Sequence, residues 1–177
     1  MSRLTPTPSA TDHFQGSLDA SVVVVEYGDF ECPYCGEAYP VLKAVQQEVG
    51  DELCFVFRHF PLSEAHPHAE RAAEFAEAAA TIGKFWEMHD VLYENQQALT
   101  NHSLVIYGKR LGLPEKLMES ALEDGFATRV RRDFVSGARS GVNGTPCLFI
   151  NGQRYDGPRD AESLIAVLRT TLGRRVR

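Results

Sequence analysis

Two cysteines with two residues between them, Cys32 and Cys35, stand at the seam between a strand-like run and a helix-like run. The preceding run, Ser21–Tyr27 (SVVVVEY), is short, unbroken and β-branched, the pattern of a central strand buried on both faces. Gly28-Asp29-Phe30 breaks it. From Pro33 the chain reads as a helix. Pro33 suits a first turn, and Leu42, Val45 and Val49 share one face. Pro40 should kink the helix and Gly50 can end it. Glu52–Phe57 (ELCFVF) is the next buried strand. A strand, a helix and a strand in this order imply a right-handed crossover and a parallel pair. The pair of cysteines therefore opens a crossover helix, and three chemistries compete for it: a zinc half-site, a structural disulfide and a redox couple.

The N-terminal sequence bears on that choice. It is rich in Ser, Thr and Pro and has no apolar signal region, so residues 1–11 are expected to be a flexible leader and the protein cytoplasmic. Structural disulfides do not normally persist in the cytosol, which counts against that reading of Cys32 and Cys35. No run reaches the ~18–20 apolar residues of a membrane span. The net charge of −6, with no basic patch beyond the tail GRRVR, argues against nucleic acid as a partner. The 177 residues can bury a core without staples.

The middle of the chain is helical in pattern. Ala69, Ala72, Ala76 and Ala79 recur at helical spacing. Phe85, Met88, His89 and Leu92 fall on one face, as do Val130, Phe134 and Ala138. Ser103 is expected to cap one helix, and Pro114 sits in the first turn of another. Strand character returns at Thr145–Ile150, Asn151-Gly152 is a two-residue hairpin turn, and Gln153–Tyr155 is the returning strand. Asp160 should cap a last helix that Gly173 ends. The order is β-α-β, helices, β-β-α, an α/β arrangement.

With these blocks in place (VVEYGDFECPYC, FRHFPL, HPHAERAAEFAEAAA, GKFWEMHDVLY and GVNGTPCLFINGQRYDG), the chain resembles the thioredoxin superfamily. Within it, the chain is similar to DsbA-like proteins, especially the DsbA-like domains sometimes fused to sodium/proton antiporters. The resemblance implies a thioredoxin fold with an inserted all-helical subdomain: a first half over 12–65, the insert over 66–142, a second half over 143–173 and a basic tail at 174–177. It also implies a protein disulfide oxidoreductase that needs no cofactor and works on protein thiols and disulfides, together with a redox-recycling partner. Cys32 and Cys35 match the redox pair, and Glu26 matches the buried acid that handles the proton of the second cysteine. Thr145-Pro146 matches the cis-proline loop that docks substrate, beside Pro33 and Tyr34 at the pair itself. Cys147, directly after the proline, departs from the pattern.

The chemistry of that reading is specific. A thiolate attacks a disulfide, and unbonded N–H groups at a helix start favour a Cys32 thiolate. Asp29 and Glu31 lie close in sequence and oppose it. Cys35, one turn in, is expected to resolve the mixed disulfide on Cys32. In the strand order implied, Cys54 and Cys147 lie two strand spacings apart, roughly 10 Å, and should not pair. His59, His66 and His68 follow the second strand and either rim a groove or serve the loop. His89, Phe85 and Trp86 read as core. Two other readings stay open: a glutathione-linked reductase of glutaredoxin type, since CPYC is also its dipeptide, and a zinc module using Cys32, Cys35, His66 and His68.

Overall fold

In the computed structural model, residues 3–175 are described. The strands are β1 (His13–Gln15), β2 (Val22–Gly28), β3 (Leu53–His59), β4 (Cys147–Ile150) and β5 (Gln153–Tyr155). The helices are α1 (Pro33–Val49), α2 (Ala69–Ala80), α3 (Phe85–Glu94), α4 (Asn101–Leu111), α5 (Glu115–Leu122), α6 (Ala127–Arg139) and α7 (Ala161–Arg175). One sheet runs in the order β1-β3-β2-β4-β5. The β-branched strand β2 takes the centre, parallel to β3 and antiparallel to β4. Five helices, α2 to α6, lie between β3 and β4 in sequence.

Period-two alternation splits the core into two layers. Val22 and Val24 of β2 face α1 and the insert together with Phe55, Phe57, Leu42 and Val45. Val25 and Tyr27 face the other way, with Cys54, Val56, Phe60, Cys147 and Phe149. Glu26 continues the first set, so its carboxyl is turned toward the layer that holds Cys35. In α2, the alanine stripe is buried along its length, and the small side chains let α3, α5 and α6 approach closely.

Local signals explain most boundaries and several departures. Asn151 and Gly152 have φ of 47° and 78°, the left-handed pair that a two-residue hairpin turn requires. Asp160 Oδ1 accepts the Ser163 N–H at 2.9 Å and caps α7. That helix does not stop at Gly173 but runs on to Arg175, since one glycine within a helix costs only about 1 kcal/mol. The cap of α4 is Thr100, whose Oγ1 accepts the Ser103 N–H, and Ser103 lies inside the helix. The ladder of β4 begins at Cys147, not Thr145, because Pro146 has no N–H to contribute.

The N-terminal segment differs most from expectation. Leu4, within the stretch expected to be a flexible leader, is 6 % exposed, and its N–H donates to Gly152 O at 2.9 Å. Thr5 N donates to Ser140 Oγ of the insert's end at 2.9 Å. Arg58, 2 % exposed, makes a bidentate pair with Asp12 at 2.8 and 3.1 Å and donates to Pro6 O and Tyr27 OH, each at 3.0 Å. A buried guanidinium needs such partners, and residues 6 and 12 supply them. Of the tail 174–177, residues 176–177 lie outside the described residues.

Candidate active site

Cys32 is the residue at which extended chain becomes helix. Its φ of −69° and ψ of 121° are extended, and Pro33 begins α1. Three carboxylate and amide groups shape this entry. Asp29, 1 % exposed, accepts the N–H of Glu31 at 2.8 Å and of Cys32 at 3.2 Å on Oδ1. Its Oδ2 accepts the Leu62 N–H at 2.9 Å and the His66 Nδ1–H at 2.7 Å. Glu31 is held by His68, through the backbone N–H at 2.6 Å and Nδ1 at 2.7 Å. Gln96, in the loop after α3, donates its amide to the carbonyls of Phe30 and Cys32, both at 2.9 Å.

The two cysteines are set to different states. All four cysteines are free thiols, with Cys35 fully buried and Cys32 3 % exposed. The Cys32 thiol is brought down to about 5. Hydrogen bonding with Cys35 does most of this, against the pull of burial, and contacts with Thr145 and the backbone of Tyr34 and Cys35 add to it. Cys35 is pushed well above the ordinary thiol range by burial first, then by its bond to Cys32 and the nearby Glu26. Asp29 and Glu31, expected to oppose the Cys32 thiolate, are instead engaged by N–H donors and two histidines.

Glu26 is 2 % exposed, and burial, followed by the charge on Cys32, raises it to about 8. Its Oε1 has no hydrogen-bond partner. The Tyr93 hydroxyl is likewise buried and unpartnered, and lies where a side chain on Gly28 would meet it at 2.7 Å. Burial first, then the charges of Cys35 and Glu26, raises Tyr93 well above the usual phenol range. Across the site, the Thr145–Pro146 peptide is cis, and Thr145 O accepts from Cys32 Sγ at 3.5 Å. Pro146 is buried, Thr145 half-buried, and Tyr34 is 66 % exposed.

The structure thus brings Cys32, Cys35, Glu26, Pro33, Tyr34, Thr145 and Pro146 to one edge of the sheet. His66 joins them through Asp29. His59 turns inward instead, its Nε2–H donating to Glu77 Oε1 at 2.7 Å. Cys54 lies opposite Val23 on one side of β2, and Cys147 opposite Tyr27 on the other. The zinc set of Cys32, Cys35, His66 and His68 does not assemble: among the described residues, the metal-capable group is His13, His59 and Glu77. His66 and His68 are spent on carboxylates. Gln96 and Tyr93 had no signal in the sequence, because only the packing of α3 against α1 brings them to the loop.

A family model described as Thioredoxin matches residues 8–170. The chain belongs to the thioredoxin family. Its relatives within that family include a protein of Salinispora tropica named Na(+)/H(+) antiporter NhaA 3, 42 % identical over 166 residues, which are 93 % of this chain and 25 % of that protein. The chain spans about a quarter of the length of the curated relatives it matches. Among solved structures, it is similar to oxidised BdbD from Bacillus subtilis, with a TM-score of 0.81, 22 % identity and coverage of 98 % of this chain and 100 % of that one. It is also similar to the thiol-disulfide exchange protein alpha-DsbA2 from Wolbachia pipientis, with a TM-score of 0.76, 20 % identity and coverage of 94 % and 88 %. These likenesses show the thioredoxin fold with a helical insert. Among the described residues, no helix is long and apolar enough to cross a membrane.

Proposed function

We propose that the chain is a thiol-disulfide oxidoreductase that exchanges disulfides with protein substrates through Cys32 and Cys35. The observation that carries this reading is the split between the two thiols, one brought down to about 5 at a helix start and the other buried and pushed up beside it. The names of the family's DsbA-type structural neighbours agree with it.

In the reducing direction, the Cys32 thiolate attacks one sulfur of a substrate disulfide. The substrate S–S bond breaks, a Cys32–substrate disulfide forms, and the second substrate sulfur leaves as a thiolate. Cys35, its proton passed to the ionised form of Glu26, then attacks Cys32 Sγ and releases the remaining substrate sulfur, leaving a Cys32–Cys35 disulfide. Oxidation of a substrate runs the same steps in reverse. Exposed Tyr34, Pro33 and the Thr145-Pro146 loop frame the approach to Cys32.

The low Cys32 value stabilises the reduced pair and so favours disulfide donation. A donor would find its substrates outside the reducing cytosol, and a reductant would find them inside it. Equilibration with glutathione mixtures decides between them. A potential nearer about −120 mV than about −270 mV supports the donor. The antiport named for the relatives is not part of this reading, since the match spans a quarter of their length.

The exchange itself is tested by trapping. Cys35→Ser should accumulate a mixed disulfide with a disulfide-containing peptide, and Cys32→Ser should accumulate none. Full turnover by Cys32→Ser would remove the proposal. Turnover by Cys35→Ser that depends on glutathione would favour the glutaredoxin-type alternative.

A further inference from the structure

We infer that His13, His59 and Glu77 form a binding site for one zinc ion, separate from the cysteine pair and independent of the redox reading. The Nε2 atoms of His13 and His59 each lie 2.7 Å from Glu77 Oε1, and the three ligand atoms all fall within 4.8 Å of one another. They come from β1, β3 and α2. Convergence of three ligands from distant parts of the chain differs from a chance surface cluster, in which neighbours on one helix or loop gather by sequence.

The rings are held in place. His13 stacks on Phe85 with centroids 3.6 Å apart and planes 7° off parallel. His59 meets Phe57 edge-on at 5.4 Å and Phe85 at 5.9 Å. Their side chains are 16 % and 1 % exposed, and that of Glu77 is 6 %. His13, the most exposed of the three, sits on the edge strand β1.

The donor set selects the ion. Two imidazole nitrogens and one carboxylate oxygen suit zinc, with a water in the fourth position, whereas magnesium and calcium prefer oxygen alone. Zinc bonds of about 2.0–2.1 Å in a tetrahedron put ligands about 3.3 Å apart. The 2.7 Å contacts of His13 and His59 with Glu77 must therefore both open by roughly 0.6 Å on binding. A second layer orients the carboxylate. Arg129 Nε lies 3.8 Å from Glu77 Oε2 and its guanidinium pairs with Asp133, which also accepts the His59 backbone N–H at 3.2 Å. The Asp133 charge offsets that of Arg129, so the guanidinium does not leave a net positive neighbour against the ion.

An ion here would join the N-terminal strand, the sheet and the helical insert at one point. Its tie to the active-site loop is Phe30, whose ring lies 5.9 Å from that of His59.

The test uses untagged full-length protein with Cys32→Ser and Cys35→Ser, so that the thiolates of the pair hold no metal. At mildly alkaline pH this protein should retain close to one zinc per chain after dialysis, and cobalt(II) should give the visible bands of a tetrahedral site. Zinc should raise its melting temperature and a chelator should reverse the rise. His13→Phe keeps the stack on Phe85 and removes a ligand. Glu77→Gln keeps the shape and removes the charge, which guards against a fold lost through His13. Each should weaken zinc binding by roughly tenfold or more. Substoichiometric zinc in the parent protein overturns the proposal, as does affinity unchanged in both variants.

Discussion

His66 Nδ1 lies 2.7 Å from Asp29 Oδ2, on the opposite side of the carboxylate from the backbone N–H of Cys32. Asp29 is thereby the keystone of the loop that carries the reactive thiol. It gathers the backbone N–H groups of Glu31, Cys32 and Leu62 on its two oxygens. The same contact raises the His66 pKa, against the effect of burial, with the charges of Cys32 and Glu31 adding to it.

The reduced protein should show a thiolate absorbance that titrates with a midpoint close to 5 and disappears in Cys32→Ser. The sign for stability follows from the same shift. The folded value lies below the unfolded value of 9.0, so the thiolate's contribution is present in full above pH 9 and is lost as pH falls toward 5. Denaturation of the reduced protein, compared with Cys32→Ser across that window, checks it. Parallel curves for the two proteins would contradict the assignment.

Glu26 works in the other sense. Its folded value of about 8 lies above the unfolded 4.5, so ionisation favours the unfolded chain and the cost grows from pH 4.5 to about 8. Glu26→Gln should therefore stabilise the fold at pH 7, by on the order of 3 kcal/mol. It should also slow release of substrate from the mixed disulfide. Chemical denaturation reads the first effect and quenched-flow trapping the second.

Gln96→Ala should cost about 1 kcal/mol, because the carbonyls of Phe30 and Cys32 lose a half-buried donor. A Tyr34→Ala control, at an exposed position, should leave stability within about 0.5 kcal/mol. Urea unfolding of both variants separates the two cases.

Asp12→Asn should cost about 3–5 kcal/mol, since it leaves the buried Arg58 charge without its counter-ion. A loss within experimental error would mean that the segment around Asp12 is not docked in solution.

Much of this architecture was legible because it is written in local patterns. The valine run, the alanine stripe, Asn151-Gly152 and the Asp160 cap each state their element within a few residues. The cysteine pair at a helix start is equally local. What escaped was long-range. The three-residue β1 is too short to show a period, and Leu4 reads as leader until Gly152 comes back to meet it. Asp29 and Glu31 looked hostile to a thiolate because sequence shows their charge but not the His66, His68 and backbone donors that use it. His59 was visible as a histidine near the site, yet its partners, His13 and Glu77, are brought to it only by an edge strand and the first helix of the insert.

The docked N-terminal segment has a consequence for the order of assembly. Thr5 bonds Ser140, a separation of 135 residues, and Leu4 bonds Gly152. During synthesis these early residues emerge long before the partners that receive them, and closing so long a loop is slow relative to forming the helices in between. The segment is made before its partners and is among the last to be locked. It behaves as a latch across the seam between insert and sheet, one that can engage only after both halves of the sheet have met around the insert.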